Sequence, residues 1–444
     1  MIAEIAALMR SEGLSEITIA AFSRQVQRVA AGETGTIGEA QIEPIAELPD
    51  ADRLTEQHRQ RGVRALSQAV FIKLNGGLGT SMGMDRAKSL LPIKQGFSFL
   101  DLAALQAKAA GVPLVLMNSF ATRDASLAAL RALQPGPSAL PLDFLQGKVP
   151  KLARDSLLPV QWRDPSLSWC PPGHGEIYPA LFSSGTLDAL LEAGHRYAFV
   201  SNSDNAGAVI DPAILGYFAA EQLPFLMEVC DRTVLDRKGG HLARQGDRLL
   251  LREAAQCSPQ DQDSFQDITR HRFFNTNNIW LDLQAVRQHL VENGGFVDLP
   301  LIRNAKTVDP RDPGSPPVYQ LETAMGAAIS VFPGAAAIRV PRGRFLPVKT
   351  LADLVRTRSD LTELRPDPRL VPVPDIAPVQ VELDPEFFRH VDDVDQRFCG
   401  EAPSLRDCTR LVVRGDVRFG RGVVCRGDVL VQGPRVVPDG AVLG

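Results

Sequence analysis

The chain has 444 residues, of which 44% are apolar and 23% charged, and its formal net charge is −4. These values are typical of globular proteins and do not fit intrinsic disorder, while the slight acidic excess argues against a dedicated nucleic-acid-binding protein. The length suits about three domains, or one large α/β core with an appendage.

Cysteine spacing and the lengths of apolar runs indicate the cellular compartment of the protein. The six cysteines are irregularly spaced and form no CxxC pair, so we expect free thiols and neither a zinc site nor a disulfide framework. The N-terminal residues lack a basic segment followed by an apolar stretch, and no window is long enough to span a membrane. We therefore expect a cytoplasmic protein without membrane partners.

Apolar periodicity divides the chain into predicted elements. Residues 1–65 show helical spacing, for example at Ile5, Leu8 and Met9. Apolar runs at 69–74, 113–117 and 197–201 predict buried strands, with helices around 100–110 and 186–193 between them. This alternation predicts βαβ units and a mainly parallel sheet, in which ligands bind at the carboxyl ends of the strands.

The C-terminal part of the chain changes character. Six prolines between Pro366 and Pro385 exclude regular helix and predict an extended linker. Beyond it, the tetrad Arg-Gly-Asp-Val begins at Arg414 and recurs at Arg426, among β-branched residues and glycines. This short repeat predicts a small β-helix or solenoid, with an ordinary β-meander as the alternative.

A glycine-rich loop follows the first predicted strand. The segment Asn75-Gly76-Gly77-Leu78-Gly79 continues to Gly83 and Lys88, and it fits neither the GxGxxG nor the GxxxxGK[ST] pattern. Glycines let the backbone approach a ligand, successive N–H groups can hold phosphate oxygens, and Lys88 adds a point charge. A purely structural turn with a solvated lysine is the alternative.

Four further motifs carry polar groups suited to a phosphorylated ligand. His174 lies between two glycines and could donate to a phosphate, or could cap a turn. Asp204 follows a strand and suits Mg²⁺ that is otherwise held by water and phosphate, or could form an Asx turn. The amides around Asn277 could bind sugar hydroxyls, with a structural turn as the alternative. Lys349 could bind a phosphate, with an ordinary cationic surface as the alternative. No nucleophile motif is present, so covalent catalysis is not favoured.

Taken together and in this order, these motifs closely resemble the UTP–glucose-1-phosphate uridylyltransferase (UDP-glucose pyrophosphorylase) family, in its eukaryotic-type branch. The matching segments span roughly residues 66–355. They are Lys73–Gly83, Pro171–Tyr178, Phe199–Asn205, Met227–Val229, Lys238–Gly240, Phe274–Trp280, Gln320–Ala324 and Arg344–Thr350.

The resemblance implies an α/β fold with a doubly wound, GT-A-like (Rossmann-like) nucleotidyltransferase core and a C-terminal left-handed β-helix. The corresponding domains are an N-terminal helical segment at 1–65, the catalytic core at 66–365, the Pro-rich linker at 366–385 and the short β-helix at 386–444. The end of the β-helix is an unpaired edge that could support association between copies of the chain, while the sequence leaves the oligomeric state open.

The resemblance also implies roles for individual residues. Lys88, Asp204 and Lys349 are the expected catalytic residues, with Asp204 as the ligand of the cofactor Mg²⁺. The residues expected to bind UTP are Leu74, Asn75, Gly76, Gly77, Lys88, Gln146, Gly173, Asp204 and Lys349. Those expected to bind glucose 1-phosphate are Gly76, Gly77, His174, Asn202, Gly240, Glu253 and Asn277.

The activity implied is the formation of UDP-glucose and pyrophosphate from UTP and glucose 1-phosphate. Broad-specificity UDP-sugar or UDP-N-acetylhexosamine pyrophosphorylases are the alternative, although the acetylhexosamine branch typically has Ala-Gly-Gly-Gln-Gly in the loop. A non-catalytic nucleotide-binding paralogue is a third hypothesis. One departure is Ala87, where the family usually has proline, a residue that presets the backbone angle φ.

Overall fold

A computed structural model of the chain describes residues 1–133, 139–233, 236 and 239–444. Lys238, in one of the motifs quoted above, lies outside the described residues. Among the described residues, the α-helices are α1 (Ile2–Ser11), α2 (Glu16–Ala30), α3 (Glu56–Ala65), α4 (Phe99–Ala110), α5 (Arg123–Leu133), α6 (Ile177–Ser183), α7 (Thr186–Glu192), α8 (Pro212–Ala220), α9 (Gln262–Gln266), α10 (Leu283–Glu292), α11 (Leu351–Arg358) and α12 (Val391–Arg397).

The strands in the first two thirds of the described chain are β1 (Glu43–Pro44), β2 (Ala69–Asn75), β3 (Pro92–Lys94), β4 (Phe97–Ser98), β5 (Leu114–Asn118), β6 (Asp143–Leu145), β7 (Val149–Pro150), β8 (Leu152–Ala153), β9 (Trp169–Cys170), β10 (Tyr197–Asn202), β11 (Phe225–Asp231), β12 (His241–Gln245), β13 (Arg248–Arg252) and β14 (Phe273–Asp282). The remaining described strands are β15 (Ile302–Thr307), β16 (Pro317–Glu322), β17 (Ala336–Arg339), β18 (Thr362–Leu364), β19 (Leu370–Pro372), β20 (Gln380–Leu383), β21 (Ser404–Arg414), β22 (Val417–Phe419), β23 (Val424–Gln432), β24 (Arg435–Val437) and β25 (Val442–Leu443).

A large mixed sheet forms the centre of the α/β core. Its described strands run in the order β1-β12-β14-β10-β2-β5-β6, with β13 beside β12, β11 beside β14 and β17 beside β11. The strands β10, β2, β5 and β6 are parallel, as the alternation of strands and helices predicts. The three strands predicted from apolar runs, β2, β5 and β10, are therefore confirmed.

Both faces of this sheet are covered. The side chains of Val70, Ile72 and Leu74 enter one hydrophobic core, and those of Ala69 and Phe71 enter another. Alternate side chains of a strand point to opposite faces, so a strand buried on both faces is a continuous apolar run. This burial explains why β2 could be predicted from the sequence.

The N-terminal helices pack beside the core. Apolar residues of α1 and α2, such as Ile5 and Phe22, share a hydrophobic cluster with Val149 and Cys170. The Thr18 hydroxyl also donates to Glu176 Oε1 over 2.9 Å. The N-terminal segment thus supports the loops that carry Gln146 and His174.

The C-terminal strands form two parallel sheets, β20-β21-β23-β25 and β22-β24. Leu411 pairs with Val429, Val417 with Arg435 and Val424 with Val442, so the offset along the chain is the same each time. This offset is longer than the spacing between the two Arg-Gly-Asp-Val tetrads, which is therefore not the structural repeat. Parallel pairing also excludes the antiparallel meander.

The Pro-rich stretch 366–385, which the structure describes in full, contains no helix. It contains β19, which pairs with β18, and β20, which pairs in parallel with β21. The predicted linker therefore pairs with strands on both sides of it. The C-terminal strands also share a hydrophobic core with Met82 and Met84, which flank Gly83 in the glycine-rich loop.

The described part of the chain contains no helix with the length and apolar character needed to cross a membrane.

Candidate functional site

The glycine-rich loop turns back on itself at the end of β2. A single 3-10 turn spans Thr80–Met82, and Gly79 and Gly83 on either side of it have φ angles of +58° and +71°. Glycine suits these positions because left-handed backbone is unfavourable for other residues. The Lys88 N–H then donates to the Gly77 carbonyl over 3.1 Å, which returns Lys88 to the start of the loop.

An ion pair connects this loop to the turn after β10. Lys88 Nζ lies 2.6 Å from Asp204 Oδ2, and the two side chains are only 13% and 17% exposed. The structure thus brings together two of the three predicted catalytic residues. Each charge of the pair could instead contact a ligand: Lys88 could contact a phosphate, and Asp204 could contact a metal ion.

The residue before Lys88 keeps the geometry that the family obtains from proline. Ala87 has φ −53°, within the range that a proline ring imposes, and it is buried. The loop therefore holds the same backbone angle without the ring.

Gly76, Gln146 and Gly173 meet at one end of the site. Gln146 Nε2 donates to the Gly173 carbonyl over 3.2 Å, and a Cβ on Gly76 would collide with Gln146 Oε1. Ser119 Oγ holds the Gly76 carbonyl over 2.9 Å. Three separate segments predicted to bind UTP therefore form one small polar corner, in which a side chain at Gly76 would displace the Gln146 amide.

Asn75 differs from its neighbours because its side chain is turned into the protein. It is 1% exposed and donates from Nδ2 to Asn118 Oδ1 over 2.7 Å and to Ser126 Oγ over 2.8 Å. Any contact between Asn75 and a nucleotide would therefore have to come from its main chain.

Leu74 and Asn202 are neighbours in the parallel pair of β2 and β10. The Leu74 carbonyl accepts from the Ser203 N–H over 3.0 Å, and the Asn202 side chain is half-buried at the end of its strand. This pairing places the predicted sugar-phosphate ligand Asn202 beside the glycine-rich loop.

His174 is held as a neutral imidazole. Its Nδ1 accepts a hydrogen bond from the Met325 backbone N–H over 2.9 Å, so in the neutral ring the proton sits on Nε2. Burial, with a smaller effect from the charge of Lys349, lowers the pKa of His174 to about 4. His174 can therefore offer a ligand an uncharged N–H donor.

Lys349 is an exposed lysine at the end of the segment that follows Arg344. The Val348 N–H donates to the Asp204 carbonyl over 3.3 Å, and Lys349 Nζ lies 5.9 Å from the Phe345 ring centroid. Its charge acts on both His174 and Glu253. Lys349 therefore lies near Asp204, His174 and Glu253.

The residues predicted to contact the glucose hydroxyls, Gly240, Glu253 and Asn277, form a second polar group. Glu253 accepts a hydrogen bond from Asn275, whose Nδ2 also donates to Asn277 Oδ1 over 2.9 Å. A Cβ on Gly240 would lie 2.8 Å from Glu253 Cδ. Burial raises the pKa of Glu253, while Asn275 and the charge of Lys349 act in the opposite direction.

A buried ion pair of Arg344 with Glu228 is a feature that the sequence motifs did not predict. Arg344 donates to both carboxylate oxygens of Glu228 over 2.8 and 2.7 Å, and Asn278 and Trp280 complete the acceptor contacts over 3.0 Å each. Glu228 is fully buried in β11. A glutamate inside an otherwise apolar strand was the signal that could have revealed it.

The donors near Asp204 suit a hard cation held mostly by other ligands. No group of three or more histidine, cysteine, aspartate or glutamate side chains with metal-binding geometry occurs among the described residues. Mg²⁺ commonly binds through one or two carboxylates together with phosphates and water. Asp204 alone therefore fits Mg²⁺ that arrives with a nucleotide, and does not fit a preformed protein cage.

Comparison with known proteins supports one family. The family profile described as UTP–glucose-1-phosphate uridylyltransferase matches residues 19–426. Proteins with that name from Hordeum vulgare and Saccharomyces cerevisiae are 39% and 37% identical to this chain over 396 and 393 residues. These alignments cover 85% and 86% of this chain, and 81% and 78% of the relatives.

Solved structures agree along the whole chain. A UDP-glucose phosphorylase from Trypanosoma brucei is similar at 44% identity with a TM-score of 0.90, covering 100% of this chain and 98% of that one. A UDP-glucose pyrophosphorylase variant from Leishmania major, in complex with UDP-glucose, is similar at 42% identity with a TM-score of 0.91. That match covers 99% of this chain and 97% of the other.

The environment of His174 predicts its protonation state. Since its pKa is lowered to about 4, we expect ¹⁵N chemical shifts of a neutral ring with the proton on Nε2 throughout pH 6 to 8. The variant His174→Gln identifies the signal by removing it. A protonation midpoint close to 6.5, the value of an unperturbed histidine, would contradict this assignment.

The same shift has a consequence for stability. Between pH 6.5 and 4 the unfolded chain protonates this histidine and the folded chain does not, so the stability that His174 contributes falls as the pH is lowered. We expect the melting temperature of His174→Gln to fall less between pH 7 and pH 5 than that of the parent protein. An equal loss in both proteins would contradict the prediction.

Proposed function

Because the chain belongs to the UTP–glucose-1-phosphate uridylyltransferase family, a family of nucleotidyltransferases, we propose that it converts UTP and glucose 1-phosphate reversibly into UDP-glucose and pyrophosphate. The observation that carries this proposal is the ion pair between Lys88 and Asp204, in which two motifs far apart in the chain meet. Lys349 and His174 lie close enough to interact electrostatically.

The chemistry needs positioning and charge neutralisation more than a covalent intermediate. A phosphate oxygen of glucose 1-phosphate forms a bond to the α-phosphorus of UTP. The bond from that phosphorus to the bridging oxygen breaks, and pyrophosphate leaves with the electron pair. The attacking phosphate is already ionised at pH 7, so no general base is required.

The cationic and N–H donor groups of the site suit this reaction. Lys88 would bind the triphosphate and Lys349 the phosphates, and both would stabilise charge that develops on the leaving group. His174 would donate its Nε2–H to the sugar phosphate, and Asn202 would add an amide donor.

The uridine would bind at the corner formed by Gly76, Gln146 and Gly173. The Gln146 side chain presents a donor and an acceptor, as reading the edge of uracil requires. The main chain of Leu74, Asn75 and Gly77 would complete the nucleotide contacts, with Gly76 and Gly77 also close to the sugar phosphate. A side chain at Gly76 would displace Gln146.

Asp204 would hold Mg²⁺, whose charge, when it is bound, offsets that of the phosphates. Lys88, which pairs with Asp204 in this structure, would then pair with the triphosphate. The glucose hydroxyls would lie against Glu253, Asn277 and Gly240, where the carboxylate and the amide offer acceptors and donors.

The C-terminal module would be the left-handed β-helix of this family, attached to a GT-A-like core. The constant offset between its parallel strands supports a coiled arrangement, and its handedness follows from the resemblance alone. Leu430, Val436 and Val442 are 57%, 72% and 59% exposed on this module. Apolar side chains beside unpaired strand edges favour association between copies of the chain.

Removal of the Lys88 charge tests the proposed reaction. We expect the purified protein to release pyrophosphate from UTP and glucose 1-phosphate only when Mg²⁺ is present, and EDTA to abolish the release. Because Lys88 would stabilise charge in the transition state, Lys88→Ala should lower kcat about 100- to 1,000-fold. Pyrophosphate release is measured with a coupled assay.

A matched control is Lys108→Ala, which removes an exposed lysine from the surface of α4 and should leave kcat unchanged. Near-normal turnover of Lys88→Ala would refute the role of Lys88. A parent protein without pyrophosphate release would favour the non-catalytic paralogue.

The sugar preference separates the glucose branch from the broader alternatives. We expect kcat/KM for glucose 1-phosphate to exceed that for galactose 1-phosphate or N-acetylglucosamine 1-phosphate by at least about 10-fold, because buried polar groups left unpaired penalise the wrong sugar. Comparable values for all three sugars would instead indicate a broad-specificity pyrophosphorylase.

Association through the C-terminal module is tested by light scattering coupled to size-exclusion chromatography. We expect a mass above the 48.2 kDa of one chain, shifting toward that value in the double variant Leu430→Glu and Val436→Glu. Equal masses for the parent protein and the variant would show that this surface does not mediate association.

A further inference from the structure

A lysine without an assigned role lies beneath the site. Lys73 is part of β2, and it is only 1% exposed. Its ammonium donates to Ser201 Oγ over 2.8 Å and approaches the carbonyl oxygens of Asn202, Asn205 and Ala208 over 3.4, 3.3 and 3.5 Å. A single charged group therefore contacts both the end of β10 and the turn that follows it.

This placement is costly for the fold. The neighbours of Lys73 in β2, from Val70 to Ile72 and at Leu74, are apolar and buried, and an isolated buried ammonium is strongly unfavourable. Burial lowers the pKa of Lys73 to about 7, although the nearby charge of Asp204 acts in the opposite direction.

The turn that Lys73 contacts carries two of the predicted site residues. Asn202 and Asp204 lie within residues 202–208, and three carbonyl groups of this turn approach the ammonium. Asp204 lies between the contacted residues Asn202 and Asn205, and its side chain is 2.6 Å from Lys88.

The same turn is held on its opposite side by Asn205. Its Nδ2 donates to the Arg344 carbonyl over 3.0 Å, and its Oδ1 accepts from the Leu346 N–H over 2.9 Å. The segment thus contacted continues to Lys349. The turn that carries Asp204 is therefore in contact with Lys73 and, through Asn205, with the segment that leads to Lys349.

We propose that Lys73 is a positioning residue for nucleotidyl transfer: by holding carbonyl groups of residues 202–208, its ammonium sets the positions of Asn202 and Asp204. Lys73 does not contact substrate. The inference rests on the proposed function, because it concerns the same reaction and the same carboxylate.

A second lysine that donates to carbonyl groups provides a control. Lys94 Nζ is bonded to the carbonyl groups of Thr357, Arg358 and Ser359 at the end of α11, and burial lowers the pKa of Lys94 to about 8. Both lysines thus donate hydrogen bonds to carbonyl groups, although Lys94 is only partly buried. Of the two, Lys73 alone contacts the turn that carries Asp204.

The experiment compares Lys73→Met with Lys94→Met in the full-length chain. Each substitution keeps an unbranched side chain and removes the ammonium, so we expect both to lower the melting temperature. Only Lys73→Met should lower kcat, by about 100-fold, with KM for UTP changed less than about 3-fold, because the lost interaction orients groups used in the transition state. Lys94→Met should keep kcat within about 3-fold of the parent protein.

Metal binding tests the position of the Asp204 carboxylate independently of turnover. Binding of Mn²⁺ to the complex of the protein with UTP is followed by electron paramagnetic resonance. We expect about 10-fold weaker binding in Lys73→Met and unchanged binding in Lys94→Met, since only the first alters the setting of Asp204. If Lys73→Met does not fold, Lys73→Gln and Lys94→Gln, which are neutral but keep N–H donors, are compared by the same criteria.

The outcomes distinguish a failure of the proposed function from a failure of the positioning role of Lys73. A parent protein that releases no pyrophosphate from UTP and glucose 1-phosphate refutes the proposed function. An active parent protein with kcat and Mn²⁺ binding preserved in the Lys73 variant refutes the positioning role. Equal losses of kcat in the Lys73 and Lys94 variants also refute it, since they would follow from reduced stability alone.

Discussion

The parallel pairing of β2 with β10 is the constraint on which the site depends. Six residue pairs, from Ala69 with Tyr197 to Leu74 with Asn202, fix the register of the two strands. Because parallel strands end at the same edge of a sheet, the glycine-rich loop and the Asp204 turn emerge side by side. A shift of one residue would reverse which side chains face each core and would separate Lys88 from Asp204.

The electrostatics of the site follow from this arrangement. Lys88 and Asp204 neutralise each other in a partly buried setting, while Lys349 remains exposed and His174 stays neutral. Charges shielded from water interact more strongly with a bound ligand than charges in free solution. These four residues thus combine two cations, one carboxylate and one uncharged donor, a composition suited to a triphosphate that arrives with a cation.

Several features could be predicted from the sequence because local rules decide them. Strands buried on both faces are continuous apolar runs, so β2, β5 and β10 are recognisable without a structure. Glycines that require left-handed backbone, such as Gly79 and Gly83, mark a loop without reference to any partner. The length of the C-terminal repeat could not be predicted in this way. The recurring Arg-Gly-Asp-Val tetrad indicates a shorter period than the pairing of Leu411 with Val429 establishes.

Local patterns in the sequence were sufficient to identify the family, the main strands and the residue types available for chemistry, because ordered motifs and apolar periodicity are properties of neighbouring residues. It took the tertiary structure to establish that the Asn75 side chain turns inward, that Asn205 joins the Asp204 turn to the Lys349 segment, and that Lys73 contacts the turn after β10. Each of these depends on contacts between segments far apart in the chain. Hydrophobic burial specifies that a residue is inside, but directional hydrogen bonds between distant segments specify what it contacts there.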